Sequence, residues 1–213
     1  MAAGDVNNDD QMNKLCEETI EIFECFVETQ LENDRERNRI DPGTPGLPPE
    51  DLPHTPDNRD NVSWQIGKKL AGIADTLVLD EESRGLISEI VQLVNVGPDD
   101  TRAFDEFSEI AKKVIANEIT WENVATLFYF GYCIARDRLT QGVQHFLSQL
   151  LKWIVDIFKR LGIFQWILNN GGWIHFLGYN NNGDDTFSVW VYRSAVVVVL
   201  AFVCISVYRN YSR

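Results

Sequence analysis

Four apolar side chains, Ile66, Leu70, Ile73 and Leu77, stand at positions i, i+4, i+7 and i+11. On a helix this spacing makes one apolar stripe, the pattern by which a helix lies in a hydrophobic groove. Ala74 is small enough to let a second helix approach closely, and Asp75 places a carboxylate at the edge of the stripe. A core helix has the same stripe, so the spacing alone leaves recognition and burial both open. Side chains capable of covalent or metal chemistry are spaced differently from any known centre. His54, His145 and His175 are isolated, and Cys16, Cys25, Cys133 and Cys204 form no CxxC pair or zinc spacing. There is no GxSxG, no HExxH, no phosphate-binding glycine loop and no dinucleotide fingerprint. Glu17, Glu18, Glu21 and Glu24 read as a solvated helix face rather than an acid/base pair. The expectation is a recognition protein that is not an enzyme and uses no cofactor and no metal.

The elements that must position the stripe are helical. From Asn13 to about Leu31, Cys16, Ile20, Phe23, Val27 and Leu31 recur at spacings of three to four, with Ile22 and Phe26 beside them. Ser63 is a candidate N-cap for the helix that carries the stripe. Further helices are expected over Arg84–Val96, from near Asp99 to Thr101 onward with Phe104, Phe107, Ile110, Val114 and Ile115 on one face, and over Val143–Arg160. Between the last two, Thr120 caps a segment, Val124–Ala135, that is apolar on every side. Its 12 residues are too few to span a bilayer, which takes about 20. Such a helix belongs in the centre of a bundle. After Arg160, "GIFQWILNNGGWIHFLGY" predicts two short helices parted at Asn170-Gly171-Gly172. Sustained period-two alternation is missing, so the fold class is all-α.

Charge narrows the partners. The chain of 213 residues carries a net charge of −13, but residues 1–109 hold 9 Lys/Arg against 26 Asp/Glu and the remainder 10 against 6. An acidic front half is a poor surface for phosphate, so nucleic acid is not an expected partner. The basic excess falls in the more apolar half, which suits anionic lipid headgroups. The polar, acidic start predicts no secretory signal, and the cysteines are then reduced thiols in a cytosol-facing protein.

Six of the seven prolines lie between Pro42 and Pro56, which predicts a flexible linker over residues 33–62. The single helix before it, residues 1–32, is too little to fold alone and belongs with residues 63–180 in one bundle. At the other end, residues 194–208 form an uncharged run of 15, about 22 Å as a helix. Extension to 187–208 gives 22 residues and about 33 Å, enough for a hydrocarbon core of about 30 Å. Arg193 can snorkel to the headgroups, Val198 and Phe202 lie in the apolar run, and Tyr208 and Arg209 mark its far edge. The expectation is a C-terminal transmembrane helix that anchors the bundle.

The order of the pieces resembles one family. "ITWENVATLFYFGY" is similar to the first homology motif of the Bcl-2 family of apoptosis regulators, and "WILNNGGWIHF" to the second, with Asn170, Gly171, Gly172 and Trp173 at its core. "LAGIAD", after the long linker, resembles the third, or BH-3, motif. "LAGIADTL", "FGYCIA", "GVQHFLSQLLKWIVDIF" and "GGWIHFL" look more like the pro-apoptotic executioner branch than the survival branch. The resemblance implies eight or nine helices around the central apolar helix and a groove lined by Ile110, Val114, Trp121, Asn123, Thr126 and Phe130. The family's first motif usually reads Asn-Trp-Gly-Arg, whereas this chain has Thr120-Trp121-Glu122-Asn123. Asn123 therefore replaces the arginine that pairs with the aspartate of an incoming BH-3 helix, a bond of about 1.5–3 kcal/mol. Ala74 stands where glycine is usual. The implied partners are BH-3 helices of other family members, a second copy of this chain and a lipid bilayer. The implied site is the mitochondrial outer membrane with the bundle facing the cytosol, the endoplasmic reticulum membrane or the cytosol being the alternatives. Two other functions remain open: a survival guardian that sequesters BH-3 helices, and a pore-forming, toxin-like helical protein.

Overall fold

The computed structural model describes residues 3–37, 39–40, 61–77, 85, 87–89, 91–92, 100–141 and 146–179. Among the described residues every regular element is a helix. They are α1 (Ala3–Glu36), α2 (Val62–Leu77), α3 (Asp100–Val114), α4 (Trp121–Thr140), α5 (Phe146–Arg160), α6 (Ile163–Asn169) and α7 (Gly172–Phe176). Residues 85, 87–89 and 91–92 are helical too, with Ile87 and Val91, one turn apart, buried.

The described residues fall into two compact units, one within 1–71 and 138–179, the other within 72–137. In the first unit α1 packs on α5 and α7, α5 on α6, and α6 on α7. Its core is aromatic: Phe23 stacks with Phe26, Phe158 meets Phe164 edge-on, and Phe146 meets Trp153 edge-on. A fully buried Phe or Leu is worth about 1.5–3 kcal/mol, so this apolar face is what holds the short helices α6 and α7. The second unit contains the end of α2, α3 and most of α4. Ala103, Phe107, Ile110 and Ala111 form the buried face of α3, and the Phe107 and Phe130 rings lie 5.5 Å apart.

Several expectations are corrected at the ends of elements. α1 has 34 residues rather than the stretch from Asn13 to Leu31. Apolar periodicity marks only the turns that are buried, while polar turns free of proline continue the helix beyond them. Thus residues 33–36, assigned to the linker, are helical, and Arg39 Nη1 reaches Asp34 Oδ1 at 3.2 Å. Pro42–Pro56 lies outside the described residues. Within α1, Cys16, Ile22, Phe23, Phe26, Val27 and Leu31 are buried as expected, while Ile20 is only half-buried and Thr19 is fully buried among them. Glu24, read as solvated, is buried.

α2 starts at Val62, and its cap is Asn61, not Ser63: the Ser63 N–H donates to Asn61 Oδ1 at 3.1 Å. Ser63 Oγ instead donates to Glu21 Oε2 at 2.9 Å. α4 is 20 residues long and contains the apolar Val124–Ala135 stretch, every residue of which is buried. Thr120 caps it, its Oγ1 accepting from the Asn123 N–H at 3.2 Å. The expected helix Val143–Arg160 is seen from Phe146, and residues 142–145 lie outside the described set.

Among the described residues no helix is long and apolar enough to cross a membrane. The expected anchor, with Arg193, Val198, Phe202, Tyr208 and Arg209, lies outside them.

Candidate functional site

The stripe of α2 faces inward. Ile66, Leu70, Ile73 and Ala74 are buried and Asp75 is half-buried, while Leu77 ends the helix. Inside the first unit, three contacts set the N-terminal part of α2 against α1. Ser63 bonds to Glu21, as above. Gln30 Nε2 donates to the Ala71 carbonyl at 3.2 Å, a buried bond across 41 positions. Gly67 has no side chain because none fits: a Cβ there would stand 2.8 Å from both the Ile22 carbonyl and Cys25 Cβ, and 2.9 Å from the Phe26 nitrogen. Two of these are backbone atoms that cannot give way singly. Around this crossing the Cys25 thiol is pushed up to about 12, first by burial and then by Glu28, Glu24 and Glu21. Burial, with Glu32 adding to it, also raises Glu28. Both shifts oppose negative charge, so Cys25 is a poor nucleophile.

The expected groove residues lie in the second unit. Ile110, Trp121, Asn123, Thr126 and Phe130 are buried and Val114 is half-buried. Asn123, 5% exposed, is committed to structure: its Nδ2 donates to the Val114 carbonyl at 3.0 Å and the Glu118 carbonyl at 2.7 Å. Both amide protons are used, and they satisfy the last carbonyl of α3 and one in the turn that follows. Thr126 Oγ1 returns to the Glu122 carbonyl at 2.8 Å. A ligand helix would reach these side chains only after they become more exposed.

The Asn170-Gly171-Gly172-Trp173 segment turns the chain from α6 into α7. Gly171 and Gly172 have φ of 87° and 74°, consecutive left-handed residues that a side chain would strain. Asn170 Nδ2 closes the end of α6 on the Trp166 carbonyl at 2.7 Å. Trp173 then points into the core, where its Nε1 donates to Thr19 Oγ1 at 2.9 Å.

Two positions that matter here escape pattern reading. Thr19 looks like an interruption of the apolar face of α1, although its 3–4 spacing to Cys16 and Phe23 places it on that face. Lys69 looks like one of two solvated lysines; Lys68 is exposed, whereas Lys69 is turned inward and donates to the carbonyls of Phe176, Leu177 and Tyr179.

A family model described as "Apoptosis regulator proteins, Bcl-2 family" matches residues 71–173. The Bcl-2 homologous antagonist/killer of Homo sapiens is 27% identical over 169 residues, 79% of this chain and 76% of that protein. Apoptosis regulator R1 of Xenopus laevis is 26% identical over 104 residues, 49% of this chain and 44% of that protein. Among solved structures, chicken BOK superposes with a TM-score of 0.58 at 16% identity, covering 77% of this chain and 95% of that one. Trichoplax adhaerens trBcl-2L2, solved bound to trBak BH3, gives 0.55 at 15% identity, with 76% and 97% covered. The two solved structures speak to the fold, and the sequence matches to ancestry. By both, the chain is related in sequence to Bcl-2 family apoptosis regulators and shares their all-helical fold.

Proposed function

We propose that this protein is a Bak-like executioner. It binds an activating BH-3 helix, exposes its own α2, exchanges that helix with a second copy and permeabilises the mitochondrial outer membrane. The observation that carries this reading is the similarity to the antagonist/killer, which extends over 79% of the chain. The physical support is that Ile66, Leu70, Ile73 and Ala74 share one apolar face. The three large anchors, at about 1.5–3 kcal/mol each, offset the cost of moving one short helix to an equivalent apolar groove. In this reading Ile110, Val114, Trp121, Asn123, Thr126 and Phe130 line the receiving groove, and residues 187–208 hold the bundle on the membrane, facing the cytosol.

The test is release of contents from mitochondria or from liposomes by the purified chain, with and without an activating BH-3 peptide. Asp75→Arg sharpens it: the residue is half-buried at the edge of the stripe, so the variant should keep its thermal midpoint but lose release and crosslinkable dimers. Release by this variant equal to the parent's would rule out exchange of α2. A second reading, a survival guardian that sequesters BH-3 helices, draws on the trBcl-2L2 fold neighbour, which was solved with such a helix bound. It prevails if the chain blocks release by other family members instead of causing it. Fusion of residues 185–213 to a fluorescent protein tests the anchor; a diffuse signal would remove it.

A further inference from the structure

Lys69 stands on α2 one residue before Leu70, the centre of the apolar stripe. Its ammonium donates to three backbone carbonyls at the end of α7: Phe176 at 3.0 Å, Leu177 at 2.9 Å and Tyr179. The same Nζ lies 5.0 Å from the centre of the Phe176 ring, which itself stacks on Tyr179 at 6.0 Å. Three protons meeting three acceptors is the full capacity of an ammonium. Two of the acceptors, Phe176 and the C-cap Leu177, stand at the negative end of α7, where a cation is favoured, and Tyr179 follows three residues after the helix. α7 has only five residues, too few to be stable unaided, so a cation supplied from α2 matters to it more than it would to a long helix. Burial lowers the Lys69 pKa from its ordinary value, so seating the charge has a cost that the carbonyls must offset. All the groups involved lie in the first unit.

We propose that Lys69 is an autoinhibitory clamp: by capping the end of α7 it holds the N-terminal part of α2 in place and sets the threshold at which α2 is released. For α2 to leave, the ammonium must surrender three acceptors and a ring face together, and α7 loses its cap in the same event. Gly67 fixes the register of α2 on α1, which aims Lys69 at these carbonyls. The inference rests on the executioner reading for what release accomplishes, but the clamp itself is measurable without it.

Lys69→Met keeps the aliphatic stem and removes the charge; Lys69→Arg keeps donors and charge. In the full chain, amide hydrogen exchange over residues 62–71 and 173–179 should accelerate about tenfold or more in Lys69→Met, the effect of losing a charge-assisted bond, with α5 unchanged. Lys69→Arg should recover most of the protection. In liposome assays Lys69→Met should need less activating BH-3 peptide for half-release. Unchanged exchange in a folded Lys69→Met overturns the clamp, even if the parent releases contents normally. Accelerated exchange with no release from either chain upholds the clamp and sinks the executioner reading instead. Should Lys69→Met not fold, the parent labelled with 15N-lysine decides: the Lys69 ammonium protons should exchange with water about tenfold or more slowly than those of exposed Lys68, and equal rates overturn the proposal.

Discussion

Trp173 and Thr19, 154 positions apart, are joined by a buried hydrogen bond: the indole Nε1–H donates to Thr19 Oγ1 at 2.9 Å. The hydroxyl passes its own proton to the Leu15 carbonyl at 2.7 Å, so both polar groups are satisfied without water. The residues are 2% and 0% exposed. This pair ties the Asn-Gly-Gly-Trp turn to α1, the helix on the far side of the linker, and makes one unit of segments from both ends of the bundle.

Thr19→Val keeps the shape and removes the acceptor, leaving a buried indole N–H unsatisfied. The expected loss is about 1–3 kcal/mol in urea unfolding. Trp173→Phe made in that background should cost less than in the parent, because the orphaned donor is removed with the ring edge. Additive losses would show that the bond contributes nothing of its own.

Gly67→Ala and Gly72→Ala lie five residues apart on the same helix and should have opposite signs. A Cβ at Gly67 meets the α1 backbone, so α2 must shift; overpacking of this kind costs about 1–3 kcal/mol. Gly72 has nothing within 4 Å of an added Cβ, and alanine there should stabilise the helix by about 0.5–1 kcal/mol. Thermal midpoints of the two variants check the contrast. Equal midpoints would mean that α1 and α2 do not cross at Gly67.

Asn123 separates structure from recognition. Asn123→Ala removes two part-buried hydrogen bonds from the side-chain amide to backbone carbonyls and should cost about 1–3 kcal/mol, read by chemical denaturation. Asn123→Arg restores the charge usual in the family's first motif. On the groove reading it should tighten peptides bearing the BH-3 aspartate by about one to two decades, or about 1.4–2.8 kcal/mol. Calorimetry that finds no tightening would mean the aspartate uses other donors in this protein.

Cys25 supplies a pH test. With its thiol raised to about 12, the reactive thiolate at pH 8 is about a thousandfold scarcer than for an ordinary cysteine. Native alkylation followed by mass spectrometry should leave Cys25 unmodified at pH 8 and label it quickly once the chain is unfolded. Raising the pH should increase native labelling steadily through pH 11, because the folded value lies above that range. Fast labelling at pH 8 would show that the α1–α2 crossing opens readily.

Patterns confined to one helix were legible in the sequence. The α2 stripe, the Thr120 cap, the apolar Val124–Ala135 stretch of α4 and the break at Gly171-Gly172 each follow from local spacing or a local backbone demand. The relationship to the Bcl-2 family was legible as well, because the motif order survives in the linear chain. Contacts between distant segments were not. No periodicity says that Thr19 accepts a bond from Trp173, that Gly67 is missing a side chain because Ile22 and Phe26 occupy the space, or that Lys69 rather than Lys68 turns inward. Asn123 reads as the loss of an arginine, and only the folded chain shows its amide closing the end of α3. The physical reason is range. Helix formation is governed by residues three and four apart, so sequence determines it nearly alone. The fate of a polar side chain depends on which acceptor a remote segment brings within about 3 Å, and packing of the whole unit decides that.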